Sequence, residues 1–117
     1  MESNNRVLML SRSFGSRIVK LYRYLITEQK EYILSKQIVR SGTSIGANIH
    51  EARYAQSRSD FISKMHIALK EASETEYWLI LLHDGGYLNK ALYESLQEDC
   101  TELIRLLTAI LNTSKSH

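Results

Sequence analysis

Residues 40–82 read RSGTSIGANIHEARYAQSRSDFISKMHIALKEASETEYWLILL, and two segments within this stretch have the periodicity of α-helices. On the second segment, apolar or small side chains recur at steps of three and four residues, as they do along one face of a helix. A helix that follows this pattern to residue 84 would be roughly 37 Å long at 1.5 Å per residue, enough to traverse a helical bundle. Its predicted seam consists of Phe61, Met65, Ala68, Ala72, Thr75, Leu79 and Leu82.

The first segment carries a strip of small residues. Gly42 and Gly46 lie four residues apart, beside a predicted seam that runs from Leu34 to Ala52 through Asn48. Two glycines inside a helix cost about 1 kcal/mol each relative to alanine, and close packing against another helix would offset this cost. An asparagine within a seam often fixes helix register or oligomeric state. The sequence therefore predicts a role in packing or assembly for Arg40, Gly42, Gly46, Asn48, Glu51 and Glu74.

The composition of the whole chain favours long helices. Its 117 residues include no proline, which would remove a backbone donor and clash inside a helix. The length fits a single hydrophobic core, and further segments with helical periodicity precede and follow the opening stretch. We therefore predict an all-α, antiparallel up-down four-helix bundle that forms one domain over residues 1–117, with helices at about 5–27, 31–55, 59–84 and 89–112.

Turns and caps are predicted between these helices. Ser57 or Ser59 is expected to cap the third helix, and Asn89 the fourth, because their side-chain oxygens accept hydrogen bonds from the first backbone N–H groups. The pair Gly85-Gly86 is the expected end of the third helix, since glycine readily adopts the left-handed conformation that closes many helices.

Residue patterns typical of catalysis are missing from the sequence. A di-iron site in a bundle needs Glu-x-x-His pairs, and none of His50, His66, His83 and His117 has a glutamate three residues before it. Cys100 lies on a predicted core seam, where a thiol behaves as a small hydrophobic group. We therefore predict a protein that is not an enzyme and holds no cofactor or metal.

The cellular location is inferred from apolar runs and cysteine usage. The longest apolar runs, 7–10 and 77–82, are too short for a signal-peptide core or a membrane-spanning helix. A single cysteine suits a reducing compartment. A cytoplasmic protein without membrane contact is the expectation.

Charge is divided unevenly along the chain. Residues 1–70 hold twelve Lys and Arg against five Asp and Glu, or +7, whereas residues 71–117 hold three against eight, or −5. Such asymmetry serves either an anionic partner or self-assembly between oppositely charged faces. Nucleic-acid binding would use basic residues near exposed aromatics. The candidates for this role are Arg12, Lys20, Arg23, Arg53 and Arg58.

A run of nine residues carries a family resemblance. The run Ser44-Ile45-Gly46-Ala47-Asn48-Ile49-His50-Glu51-Ala52 resembles the 23S ribosomal RNA intervening-sequence proteins. That family is related to the accessory variability determinants of diversity-generating retroelements. The chain departs from the pattern at Gly46, where proline often follows Ser-Ile, and at Ala52-Arg53, which replaces a glycine. The supporting matches are Gln37-Ile38-Val39-Arg40, Phe61, Ile67-Ala68-Leu69, Glu74-Thr75-Glu76 and Gly86-Tyr87-Leu88.

The resemblance implies an antiparallel four-helix bundle that assembles into a homopentameric ring in the bacterial cytoplasm and has no enzymatic activity. For the accessory determinants it implies nucleic acid and a reverse transcriptase as partners. Our leading hypothesis is a homo-oligomeric bundle, expected to be pentameric, whose basic surface binds RNA or DNA. The alternative is a structural or adaptor module for protein partners that binds no nucleic acid.

Overall fold

Four helices account for most of the chain in the computed structural model, which describes residues 2–115 and the side chains of residues 4–114. They are α1 (Glu2–Thr27), α2 (Leu34–Ala52), α3 (Arg58–Asp84) and α4 (Lys90–Lys115). No strand occurs within these described residues. The prediction of an all-α bundle is confirmed.

The helices run alternately up and down. Each helix packs against the next one along the chain, and α4 returns to pack against α1. Arg6 of α1 pairs with Glu102 of α4, and Arg17 with Asp99, so residue numbers rise along α1 as they fall along α4. The other neighbouring helices are antiparallel by the same reasoning. Between α1 and α2, Gly42 lies near Ile18 and Gly46 near Ser11, and between α2 and α3, Arg40 pairs with Glu71 and Glu51 with Lys64. Between α3 and α4, Gln97 contacts Glu76 and Cys100 contacts Ala72.

The core lies along the inner faces of all four helices. On α3 the buried residues are those of the predicted seam from Met65 to Leu82, whereas Phe61 is partly buried against the core. A buried hydrogen bond joins the hydroxyls of Thr75 and Ser41, with 2.8 Å between the Oγ atoms. The largest fully buried side chains are Phe14, Ile18, Leu25, Ile38, Ile45, Met65, Leu79, Leu82, Leu96, Leu103, Leu107 and Val7.

The seam of α2 differs from the prediction near its end. Ile49 faces the core, with 3% of its surface exposed, while Asn48 is only half-buried. The Asn48 amide donates to the Ser44 carbonyl of its own helix at 2.8 Å. The prediction used strictly alternating steps of four and three, which average 3.5 residues per turn. A helix of 3.6 residues per turn drifts away from that pattern, so after Ile45 the next inward position is Ile49.

Three caps predicted from the sequence are present. The Ser57 hydroxyl accepts from the Asp60 N–H at 3.0 Å, and the Asn89 side chain accepts from the Leu92 N–H at 2.8 Å. At the end of α3, Gly86 adopts a left-handed φ of 83°. The backbone hydrogen bonds there are those of a Schellman motif, from Gly86 to His83 and from Tyr87 to Leu82.

The start of α2 follows a cap that the sequence reading missed. The helix begins at Leu34 and not at residue 31, after Lys30 reverses the chain with a φ of 55°. The Glu31 carboxylate accepts from the N–H groups of Ile33, Leu34 and Ser35 at 2.7–3.1 Å. A carboxylate is favourable here because it meets both the unpaired N–H groups and the positive end of the helix dipole.

The other helix limits also shift slightly. Helix α2 ends at Ala52, three residues before the predicted limit, and α3 begins one residue earlier than predicted. Helix α4 begins at Lys90 and continues to Lys115, past the predicted end at 112. Residues 116 and 117 lie outside the described residues.

Replacing Glu31 by alanine should destabilise the protein by about 2 kcal/mol, near the upper end of the range for losing an N-terminal cap. The change removes an acceptor shared by three backbone donors, two of which belong to α2 itself. Urea unfolding followed by circular dichroism would measure the difference. The matched control is Glu28→Ala, because Glu28 is exposed and makes no side-chain hydrogen bond within the described residues. Equal stabilities of the two variants would contradict the capping role of Glu31.

Candidate nucleic-acid interface

Three of the predicted basic residues lie on the outer face of α1. The apolar stripe of this helix faces the core, so Arg12, Lys20 and Arg23 are turned outward and are exposed. Within the described part of the chain, none of these three side chains forms an ion pair or a hydrogen bond. Arg12 and Arg23 are about 16 Å apart along the helix axis, by the 1.5 Å rise per residue. Their charges are therefore free for an anionic partner.

The other two predicted cations occupy the turn between α2 and α3. Arg53 is exposed, and its guanidinium carbon lies 5.7 Å from the centre of the Tyr54 ring. Arg58 donates a hydrogen bond to the main-chain carbonyl of Ser114, near the end of α4. Arg58 is thus partly engaged in closing a helix terminus, whereas Arg53 has no anionic partner among the described residues.

A groove between α1 and α2 brings Arg12 and Arg53 together. It has a volume of about 480 Å³, and both arginines line it with His50. Its twelve lining residues include no aspartate or glutamate. Lys20 lies instead beside α4, in a smaller groove with Arg17 and others. We call Arg12, Lys20, Arg23 and Arg53 the basic face. The first and last of them share one groove.

Small residues keep the α1–α2 groove open. A Cβ at Gly15 would have no atom within 4 Å, and a Cβ at Gly46 would lie 3.3 Å from the Ser11 main-chain oxygen. Larger side chains at these positions would fill the groove or push the helices apart. Gly42, deeper between the helices, is close enough to Ile18 that a Cβ would lie 2.8 Å from Ile18 Cγ2. Both glycines predicted to pack closely do so against α1.

A second groove flanks α1 on its other side, and most of its charged lining residues are carboxylates. This groove, between α1 and α4, has a volume of about 1200 Å³. Its only lining cation is Arg6, which is paired with Glu102. The carboxylates that line it are Glu94, Glu98, Asp99 and Glu102. The uneven charge of the sequence thus gives an arginine-lined groove on one side of α1 and a groove lined mainly by carboxylates among its charged residues on the other.

Arg40 and Glu74, each predicted to take part in packing or assembly, form an ion pair between α2 and α3. The indole N–H of Trp78 also donates to Glu74 at 2.9 Å. That hydrogen bond, followed by those from Arg40, holds the pKa of the Glu74 carboxyl below its ordinary value. The hydrogen bond from Arg40 to Glu74 raises the pKa of the guanidinium. Arg40 also pairs with Glu71 at 3.2 Å, a partner absent from the predicted set.

The third predicted carboxylate, Glu51, pairs with Lys64 at 3.1 Å. This contact and those of Arg40, Gly42, Gly46 and Glu74 lie within one chain. Their role in assembly between copies stays a prediction.

The environment of Cys100 does not favour a catalytic role for its thiol. The thiol is fully buried and donates to the Ala72 carbonyl at 3.2 Å. Burial, together with the charges of Glu76 and Asp99, raises its pKa to about 12, so the nucleophilic thiolate is scarce at neutral pH. Among the side chains of residues 4–114, no group of three or more His, Cys, Asp and Glu is placed to hold a metal ion. Across residues 2–115, each helix is too short or too polar to cross a bilayer.

Comparison with known proteins assigns the chain to a family. The family model described as 23S rRNA-intervening sequence protein matches residues 3–109. The chain belongs to this family. A crystal structure of a family relative agrees closely: it is a protein of unknown function from the S23 ribosomal protein family of Bacteroides thetaiotaomicron VPI-5482. It shares 56% sequence identity at a TM-score of 0.93, over 94% of this chain and 98% of that chain. No curated protein matches the chain significantly.

Proposed function

We propose that this member of the 23S rRNA intervening-sequence family is a non-enzymatic homo-oligomer in the bacterial cytoplasm that binds RNA or DNA through its basic face. One observation carries the proposal. Arg12 and Arg53, from different elements, line one groove that contains no carboxylate and have no anionic partner among the described residues. A phosphate backbone would supply the missing negative charge.

The expected binding has little sequence preference. Phosphate contacts position a protein on nucleic acid but carry no sequence information, which comes from contacts to base edges. The basic face contains no helix-turn-helix motif and no other element that would insert a row of side chains into a groove of the duplex. Affinity would therefore come mainly from charge and would fall steeply with salt.

Oligomerisation is proposed from surface properties and from the resemblance. The basic face lies on α1 and on the turn between α2 and α3, whereas α4 carries the carboxylates of the α1–α4 groove. A heterologous contact between unlike faces repeats around a ring when the rotation closes. A homopentameric ring is the form that the family resemblance implies.

The outer face of α3 supports the second candidate, an adaptor for protein partners. Tyr77 and Ile80, three residues apart on one side of the helix, are 53% and 37% exposed there. Ile62 and Leu69 instead pack on the core. Adjacent exposed apolar side chains on one face favour a protein contact. A second copy of the chain or a different protein, such as a reverse transcriptase, would occupy this face.

Purified protein should be an oligomer that binds nucleic acid at low salt. Light scattering would give its mass, and the absorbance ratio before and after nuclease treatment would reveal co-purified nucleic acid. In fluorescence anisotropy, three to four phosphate contacts should give a slope of log K against log salt of about −2 to −3. Salt-independent binding, or none at low salt, would eliminate nucleic acid and favour the adaptor. A monomeric mass would eliminate the oligomer.

A further inference from the structure

An exposed tyrosine stands beside the α1–α2 groove. Tyr54 is 72% exposed, in the turn that follows α2. Its ring centre is 5.7 Å from the guanidinium carbon of Arg53 and 6.0 Å from the ring centre of His50. Both neighbours line the groove. The groove therefore combines positive charge with an aromatic ring that faces solvent.

We propose that this groove and Tyr54 bind single-stranded nucleic acid in preference to a duplex, an inference that rests on the proposed function. Arg12 and Arg53 contact phosphates of the strand, and an unpaired base stacks on the Tyr54 ring. Proteins that bind single strands combine a positive groove that follows the backbone with aromatic side chains on which bases stack.

The aromatic ring decides between the two forms of nucleic acid. In a duplex the faces of the bases are covered by their neighbours in the stack, so phosphates remain the main groups that an exposed surface can reach. An unpaired strand exposes the base faces, and every base has one. Tyr54 thus adds affinity only for the single strand, whereas Arg12 and Arg53 attract both forms.

The walls of the groove support the same choice. Met9 and Val19 line it and are 72% and 42% exposed. Such apolar surface is a poor partner for phosphate but a good one for the bases and sugars of an unpaired strand. The part of α1 that lines the groove, residues 8–19, is about 16 Å long by the helical rise. That length accommodates a few nucleotides.

The α1–α4 groove, on the other side of α1, is not an alternative site for nucleic acid. It is larger, but it is lined by four carboxylates and a single arginine that is already paired. Three of these carboxylates are ion-paired, Glu94 with Lys90, Asp99 with Arg17 and Glu102 with Arg6 and Arg105. The groove therefore offers a polyanion no unpaired cation, whereas Arg12 and Arg53 line the α1–α2 groove without an anionic partner among the described residues.

The test compares single-stranded and duplex binding for variants of the ring. Fluorescence anisotropy would measure Kd for a labelled thymidine strand of about ten nucleotides and for a duplex of the same length. We expect the strand to bind about tenfold more tightly than the duplex. Tyr54→Ala should weaken strand binding about tenfold, a typical effect for one stacked base, and should leave duplex binding unchanged. Tyr54→Phe keeps the ring and should bind the strand normally.

The matched control is Tyr32→Ala, which removes a tyrosine that is 53% exposed in the connection between α1 and α2. It should leave both affinities unchanged. Equal affinity for strand and duplex, or equal effects of Tyr54→Ala and Tyr32→Ala, would overturn the inference while leaving the proposed function intact. Binding of a polyglutamate peptide as tight as that of the strand would overturn it in favour of an acidic protein ligand. Failure to bind either nucleic acid at low salt would overturn the proposed function itself.

Discussion

Replacing Gly42 by leucine should destabilise the protein by about 3 kcal/mol, at the upper end of the usual range for overpacking. A Cβ at this position would lie 2.8 and 2.9 Å from two side-chain carbons of Ile18. Ile18 is fully buried and is branched at Cβ, so its side chain has little freedom to move aside. The contact would force α1 and α2 apart. Thermal unfolding should show a decrease in Tm of about 12 °C, at roughly 4 °C per kcal/mol for a domain of this size.

Gly15 provides the matched control because it is also a glycine within a helix. A Cβ at Gly15 would have no atom within 4 Å. Gly15→Ala should therefore raise stability by about 1 kcal/mol, the usual gain in helix propensity. The two changes act in opposite directions although both add side-chain atoms to a helical glycine. A Gly42 variant as stable as the parent would show that the helices can separate without cost, and would remove close packing as the reason for the glycine.

Reversing three charges on the basic face should abolish most nucleic-acid binding. The triple change Arg12→Glu, Lys20→Glu and Arg23→Glu replaces exposed cations that have no anionic partner among the described residues. We expect affinity for a single strand at low salt to fall at least ~100-fold, because each lost phosphate contact removes one counterion-release contribution. The slope of log K against log salt should become less steep by about 2, at about 0.7 per contact. Circular dichroism should show an intact fold.

A second triple variant separates local from overall charge. Lys64→Glu, Lys70→Glu and Lys90→Glu change the net charge by the same amount, but these lysines lie on α3 and at the start of α4. Lys64 and Lys90 already pair with Glu51 and Glu94 in exposed ion pairs, which contribute little to stability. This variant should keep most of the affinity. Equal losses in both triple variants would show that net charge alone drives binding and that the basic face is not the site.

Local sequence signals predicted the helices and most of their ends. Ser57, Asn89 and Gly86 each act within a few residues of the backbone groups that they satisfy, so their roles can be read from neighbouring positions. Glu31 acts at equally short range, but its signal was missed because glutamate three residues before a helix is not the usual cap. An acidic residue close to the start of a helix was the available clue.

Patterns of longer range were read less accurately. A repeat of 3.5 residues places Asn48 on the seam of α2, whereas Ile49 takes that position because a helix of 3.6 residues per turn drifts away from that repeat. The sequence predicts a packing or assembly role for Arg40 and Glu74 but not their pairing, and it does not single out Glu71, on the same side of α3. Both carboxylates lie one helical turn apart, so a single guanidinium reaches the two of them.

The sequence by itself determined four helices, most of their caps and most of the residues that face the core, because the helical repeat and the needs of helix ends are local properties. It also placed the positive charges early in the chain. Only the tertiary structure decided which of those charges act together. Arg12 and Arg53 are far apart in the sequence and share a groove because α1 and α2 pack side by side in opposite directions. Arg58 is predicted together with them, but its side chain instead donates a hydrogen bond to the Ser114 carbonyl near the end of α4.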